Sequence, residues 1–109
     1  MSGGADDGMT IDTERALGAE RPVIGVVHLP ALPGAPRYDD DGGREAIHRV
    51  AERDADRLAA GGVDALIVEN YGDAPYHPGE VPRHVVADLT ALVRTVRETV
   101  DLPVGVNLL

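Results

Sequence analysis

The 109-residue chain holds 19 acidic and 10 basic residues, all of the latter arginine, for a formal charge of −9 at pH 7. It supplies no basic patch to neutralise phosphates, which argues against nucleic acid as a partner. It contains no cysteine, which excludes disulfides and thiolate chemistry. The acidity itself reads either as attraction of cationic ligands or as a well-solvated surface of halophile-like composition, and the second reading is the simpler.

Residues 1–20 read as a leader, with disorder expected over Met1–Asp7 and a short helix from Thr13 to Leu17 stopped by Gly18. No basic, apolar signal region opens the chain and no apolar run is long enough to span a membrane, so a cytoplasmic protein without membrane insertion is expected. Residues 21–109 read as one domain. Its first strand, from about Val23 to His28, is an uninterrupted apolar run, the pattern of a parallel strand buried on both faces. A loop with three prolines follows, and Asp39-Asp40-Asp41 is expected to cap a helix running from Gly43 to Ala60. Ile47, Val50, Ala51, Leu58 and Ala59 mark its buried face, and Gly61-Gly62 ends it with one glycine in the left-handed conformation.

The second strand, Ala65 to Glu69, opens into a long loop over Asn70–Glu80. Pro82 suits the first position of a helix reaching about Thr99, with Val85, Val86, Leu89, Leu92, Val93 and Val96 inward. Asp101 and Pro103 launch a third strand through Val104–Leu109. Strand, helix, strand, helix, strand implies right-handed parallel crossovers. Tight connections enter the strands and long loops leave them, which favours the N-terminal portion of a (β/α)8 TIM-type barrel over an open doubly wound sheet. An apolar strand as the last element points to a partial barrel, since it leaves an unpaired edge.

Each strand ends in a polar group: His28, then Glu69-Asn70, then Asn107. Adjacent parallel strands lie about 4.8 Å apart, so these groups are expected to meet in one site at the edge where α/β folds bind ligands. His28 and Glu69 are the candidate catalytic residues. His28 would serve as general base or metal ligand, and Glu69 as its partner, a metal ligand or a second acid/base group. Asn70 and Asn107 are candidate ligand donors. The alternative is a histidine hydrogen-bonded to a neighbouring loop, but a carboxylate after four apolar residues is costly to bury without a partner. The only aromatics, Tyr38, Tyr71 and Tyr76, all fall in loops leaving strands, where they either line a pocket or cover loop backbone. Asp73 and His77 share the second of these loops. Asp73 joins Tyr71 and Tyr76 as a ligand-binding candidate, while the spacing matches no metal motif and names no cofactor. His48 and His84 fall on helices and read as packing or surface residues.

The stretches Val23–Tyr38, Gly62–Tyr76 and Pro103–Leu109, in that order and with suitable separations, resemble the BtpA/SgcQ family over about Arg21 to Leu109. The resemblance implies a TIM-type barrel of the ribulose-phosphate-binding kind, of which this chain matches the opening three strands. It also implies two functional classes. One is an enzyme or former enzyme holding a small polar, phosphorylated or sugar-like metabolite over His28, Glu69 and Asn107. The other is a non-enzymatic assembly or stability factor for a membrane complex, since the family is named for a factor in photosystem I biogenesis. That role would act through a protein partner or homo-oligomer, because no polybasic or exposed apolar helix is evident for docking on a membrane.

Overall fold

The computed structural model describes residues 12–109, so the expectation of disorder over Met1–Asp7 lies outside the described residues. The elements follow the expected order: α1 (Thr13–Leu17), β1 (Ile24–His28), α2 (Gly43–Ala60), β2 (Ala65–Glu69), α3 (Arg83–Thr99) and β3 (Val104–Asn107). The strands form a parallel sheet in the order β1-β2-β3. The protein is therefore α/β, built from successive strand–helix steps.

The apolar faces of α2 and α3 account for the core. Ile47, Ala51 and Ala55 of α2 meet Val85, Leu89, Leu92 and Val96 of α3, and both sets close over Val27, Leu66 and Val68 of the sheet. Small alanines on α2 let that helix lie close to the strands, where even Gly25 is covered by Leu58. Two polar links fix the helices against each other. His48 Nδ1 lies 2.7 Å from Thr95 Oγ1, and Arg44 Nε donates to Asp88 at 2.7 Å. His48, expected only to pack or face solvent, thus bridges two helices.

Two local expectations change. β1 is buried on one face only: Gly25 and Val27 point under the helices while Ile24, Val26 and His28 are exposed. The apolar run does not alternate because both faces are apolar, yet both helices cover the same face of the sheet. The three aspartates do not cap α2 through their side chains. Its first residue, Gly43, takes a φ of 63°, and the N-cap Gly42 has no side chain to bond. Asp39 instead turns its carboxylate to the Asp41 N–H at 3.1 Å, closing a local turn. The expected left-handed glycine after α2 is Gly62, with a φ of 96°.

Asp64 sets the register of β1 on β2. Its carboxylate accepts the Val23 N–H at 2.9 Å and its own N–H donates to the Val23 carbonyl at 2.8 Å. From that clamp, Ile24 pairs with Ala65 and the ladder runs without a bulge to His28 opposite Glu69. On the other side of β2, Glu69 stands opposite Asn107.

Candidate functional site

The register decides the site. His28, Glu69 and Asn107 occupy the same level of three adjacent parallel strands, so their side chains leave the same face at the carboxyl edge of the sheet. Glu69 is central. Its Oε1 lies 3.4 Å from His28 Nε2, and its Oε2 accepts Asn107 Nδ2 at 2.8 Å. The histidine side chain is 53% exposed and the glutamate side chain 16%. The carboxylate is thus held between two partners while the imidazole reaches toward solvent. Tyr71 stacks on the other side of the histidine, with ring centroids 4.5 Å apart and planes 21° from parallel.

The loops behind this row are bolted together. Leu29 N–H donates to the Glu69 carbonyl at 3.0 Å, and Gly72 N–H donates back to the Leu29 carbonyl at 3.0 Å. Leu29 and Leu32 drop from the proline-rich loop into the core and are fully buried. Asp73, buried on a single 3-10 turn over Tyr71–Asp73, accepts the Leu32 N–H at 2.7 Å and Asn70 Nδ2 at 3.0 Å. Asn70, 1% exposed, uses Oδ1 to accept the Leu109 N–H at 2.7 Å. The amide and carboxylate of this pair are therefore engaged in joining the ends of all three strands. The structure places Asn70 and Asp73 outside the row, on the wall of a cleft between the two strand-end loops.

Tyr76 donates its hydroxyl to the Tyr71 carbonyl at 2.7 Å, which holds the stacked tyrosine in place. Partial desolvation, then the nearby Tyr71, Glu69 and Asp73, hold the Tyr76 phenol above its ordinary range. Tyr38 does neither of the things expected of it and packs against the core. An open cleft of about 430 Å³ lies between the two strand-end loops, with Gly34, Pro36, Tyr76, His77 and His84 among its lining residues. The row itself is outside that cleft, on the open face of the sheet. No group of three or more His, Cys, Asp or Glu suited to a metal ion occurs among the described residues.

Three residues with structural consequences escaped the sequence reading. Leu29 and Leu32 are spaced by three within a proline-rich loop, a signal of anchoring that the loop composition obscured. Gly72 lies where an added Cβ would sit 2.4 Å from Ala31 N and 2.8 Å from the Leu29 carbonyl oxygen. A glycine three residues after a strand end carried no sign of that close approach.

Polar side chains aligned across the carboxyl ends of parallel strands, on loops tied by buried hydrogen bonds, define the class: an α/β protein with its candidate site at the sheet's carboxyl edge. The chain belongs to the BtpA family, whose model matches residues 19–109. It is 43% identical over 91 residues to an uncharacterised protein of Pyrococcus furiosus, covering 84% of this chain and 34% of that protein. It is 42% identical over 99 residues to the photosystem I biogenesis protein BtpA of Synechocystis sp., covering 91% of this chain and 34% of the relative. The putative sgc region protein SgcQ of Escherichia coli is 32% identical over 96 residues, covering 88% and 35%. The chain thus spans about a third of the length of the curated relatives it matches. No solved structure matches the chain significantly.

Proposed function

We propose that this chain forms the opening strands of a TIM-type barrel and that the His28–Glu69–Asn107 row binds a small polar or phosphorylated metabolite at the cytoplasmic protein's strand ends. The observation that carries this reading is the coincidence of register. Three strands separated by long stretches of sequence each end in a polar side chain, and all three fall at one level and touch. A surface serving solubility alone has no need of such alignment. His28 and Glu69 are the residues placed for proton transfer, Asn107 and Tyr71 those placed to contact a ligand, and Tyr76, Asn70 and Asp73 those that hold the contacts in position.

A second reading takes its support from the Synechocystis relative, which is named for photosystem I biogenesis. In that reading the chain acts as an assembly or stability factor through a protein partner. The open apolar groove formed by Val86, Leu89 and Val93 of α3 with Val106 and Leu108 would serve such contact. Among the described residues no helix is long and apolar enough to cross a membrane.

Thermal melting of the protein against a panel of sugar phosphates, polyols, hydroxy acids and divalent cations separates these readings. The ligand reading expects a raised melting temperature with at least one compound, equivalent to about 2.7 kcal/mol at a hundredfold excess over Kd, and expects Glu69→Gln to abolish the rise. A panel without any shift contradicts it.

A further inference from the structure

We infer that the reactive atom of the row is His28 Nδ1, acting as proton acceptor, and that Glu69 and Asn107 are positioning residues that hold the imidazole in the tautomer this requires; the inference rests on the ligand reading above. Both oxygens of Glu69 already have partners, His28 Nε2 at 3.4 Å and Asn107 Nδ2 at 2.8 Å. A carboxylate so placed repels a lone pair on the ring nitrogen it faces and attracts a proton there. The neutral ring therefore carries its proton on Nε2 and its lone pair on Nδ1. That lone pair belongs to a half-exposed side chain, within reach of an incoming ligand. Tyr71 stacks on the ring, with centroids 4.5 Å apart, and favours this orientation of its plane.

The arrangement separates two jobs that the strand-end pattern leaves undivided between His28 and Glu69. The more exposed group exchanges the proton, and the more enclosed one orients it. The substrate class that fits carries a hydroxyl, or a C–H acidified by an adjacent carbonyl. Its proton passes to Nδ1 while the electron pair of the broken bond stays on the substrate as an alkoxide or enolate. The imidazolium formed is offset by the Glu69 carboxylate 3.4 Å away. Return of the proton from Nδ1 to the substrate or to water regenerates the neutral ring.

Long-range proton–nitrogen spectra of histidine-labelled protein test this without any substrate, at about pH 8 where an ordinary imidazole is neutral. Loss of one signal set in His28→Gln assigns the residue among the four histidines. The wild type is expected to show Nε2 protonated and Nδ1 bare, in clear excess over the ratio of free imidazole in histidine. Glu69→Ala should lose that excess and fall to the free ratio, and Asn107→Ala, which releases only one side of the carboxylate, should fall part of the way. A protonated Nδ1 in the wild type, or an unchanged ratio in Glu69→Ala with intact backbone spectra, overturns the assignment. Should Glu69→Ala fail to fold, an unchanged ratio in Asn107→Ala overturns it in the same way. Absence of any ligand-induced melting shift with the tautomer pattern intact would count against the metabolite reading alone.

Discussion

Replacing Gly72 by alanine is expected to destabilise the protein by about 3 kcal/mol or more, the upper range for forcing a methyl group into a packed site. The added Cβ would sit 2.4 Å from Ala31 N and 2.6 Å from the Pro30 carbonyl carbon. Both are backbone atoms of the proline-rich loop, so no side-chain rotation relieves the clash. The loop must lift, and with it the hydrogen bond from Gly72 N–H to the Leu29 carbonyl and the burial of Leu29 and Leu32. Urea unfolding should show a lower midpoint. Gly79→Ala is the control, since nothing lies within 4 Å of a Cβ built there, and should change the midpoint little. Equal midpoints for the two variants would show that the loops do not dock as described.

The second large effect is expected from Asp73→Ala. Its carboxylate accepts the buried Leu32 N–H at 2.7 Å and the buried Asn70 amide at 3.0 Å. Truncation leaves the buried Leu32 N–H without its acceptor, at about 1–3 kcal/mol, and leaves Asn70 Nδ2 only its longer bond to the Leu109 carbonyl at 3.3 Å. The consequences run past stability. Asn70 also holds the segment after β3 through Leu109, so its release should loosen Asn107 and hence Glu69. Amide hydrogen exchange is the suitable measurement. Faster exchange is expected at Leu32 and Leu109 together, although they lie far apart in sequence, beyond the uniform acceleration that lower global stability gives the α2–α3 core. Exchange altered only within the 3-10 turn would contradict the coupling.

What the sequence made legible follows from how each element is specified. The helices and strands are set by local pattern: apolar periodicity on α2 and α3, apolar runs in the strands, and glycine or proline at the boundaries. Their bounds are recovered nearly to the residue, from Thr13–Leu17 to Arg83–Thr99. The strand-end row was legible for the same reason, because parallel strands of similar length entered by short turns bring their last residues to one level. The faces of β1 were not legible, since an apolar run is silent about which side the helices cover. Nor was the division between Asn107, which reaches into the row, and Asn70, which turns outside it. Adjacent positions on a strand face opposite ways, but Asn70 follows the last residue of β2, and its direction is set by a turn that depends on Asp73. Tyr38 was misplaced because loop composition does not show which way an aromatic turns, and this one turns to the core.

The central claim is that the His28–Glu69–Asn107 row, and not the cleft between the loops, receives the ligand. Crystals of the protein soaked with a panel of polyols, sugar phosphates and small carboxylic acids test it most directly. The account predicts a bound molecule within hydrogen-bond distance of His28 or Asn107 and against Tyr71, absent when Glu69 is replaced by Gln. Molecules found only in the cleft lined by Gly34, Pro36, His77 and His84, with the row left bare, would contradict it.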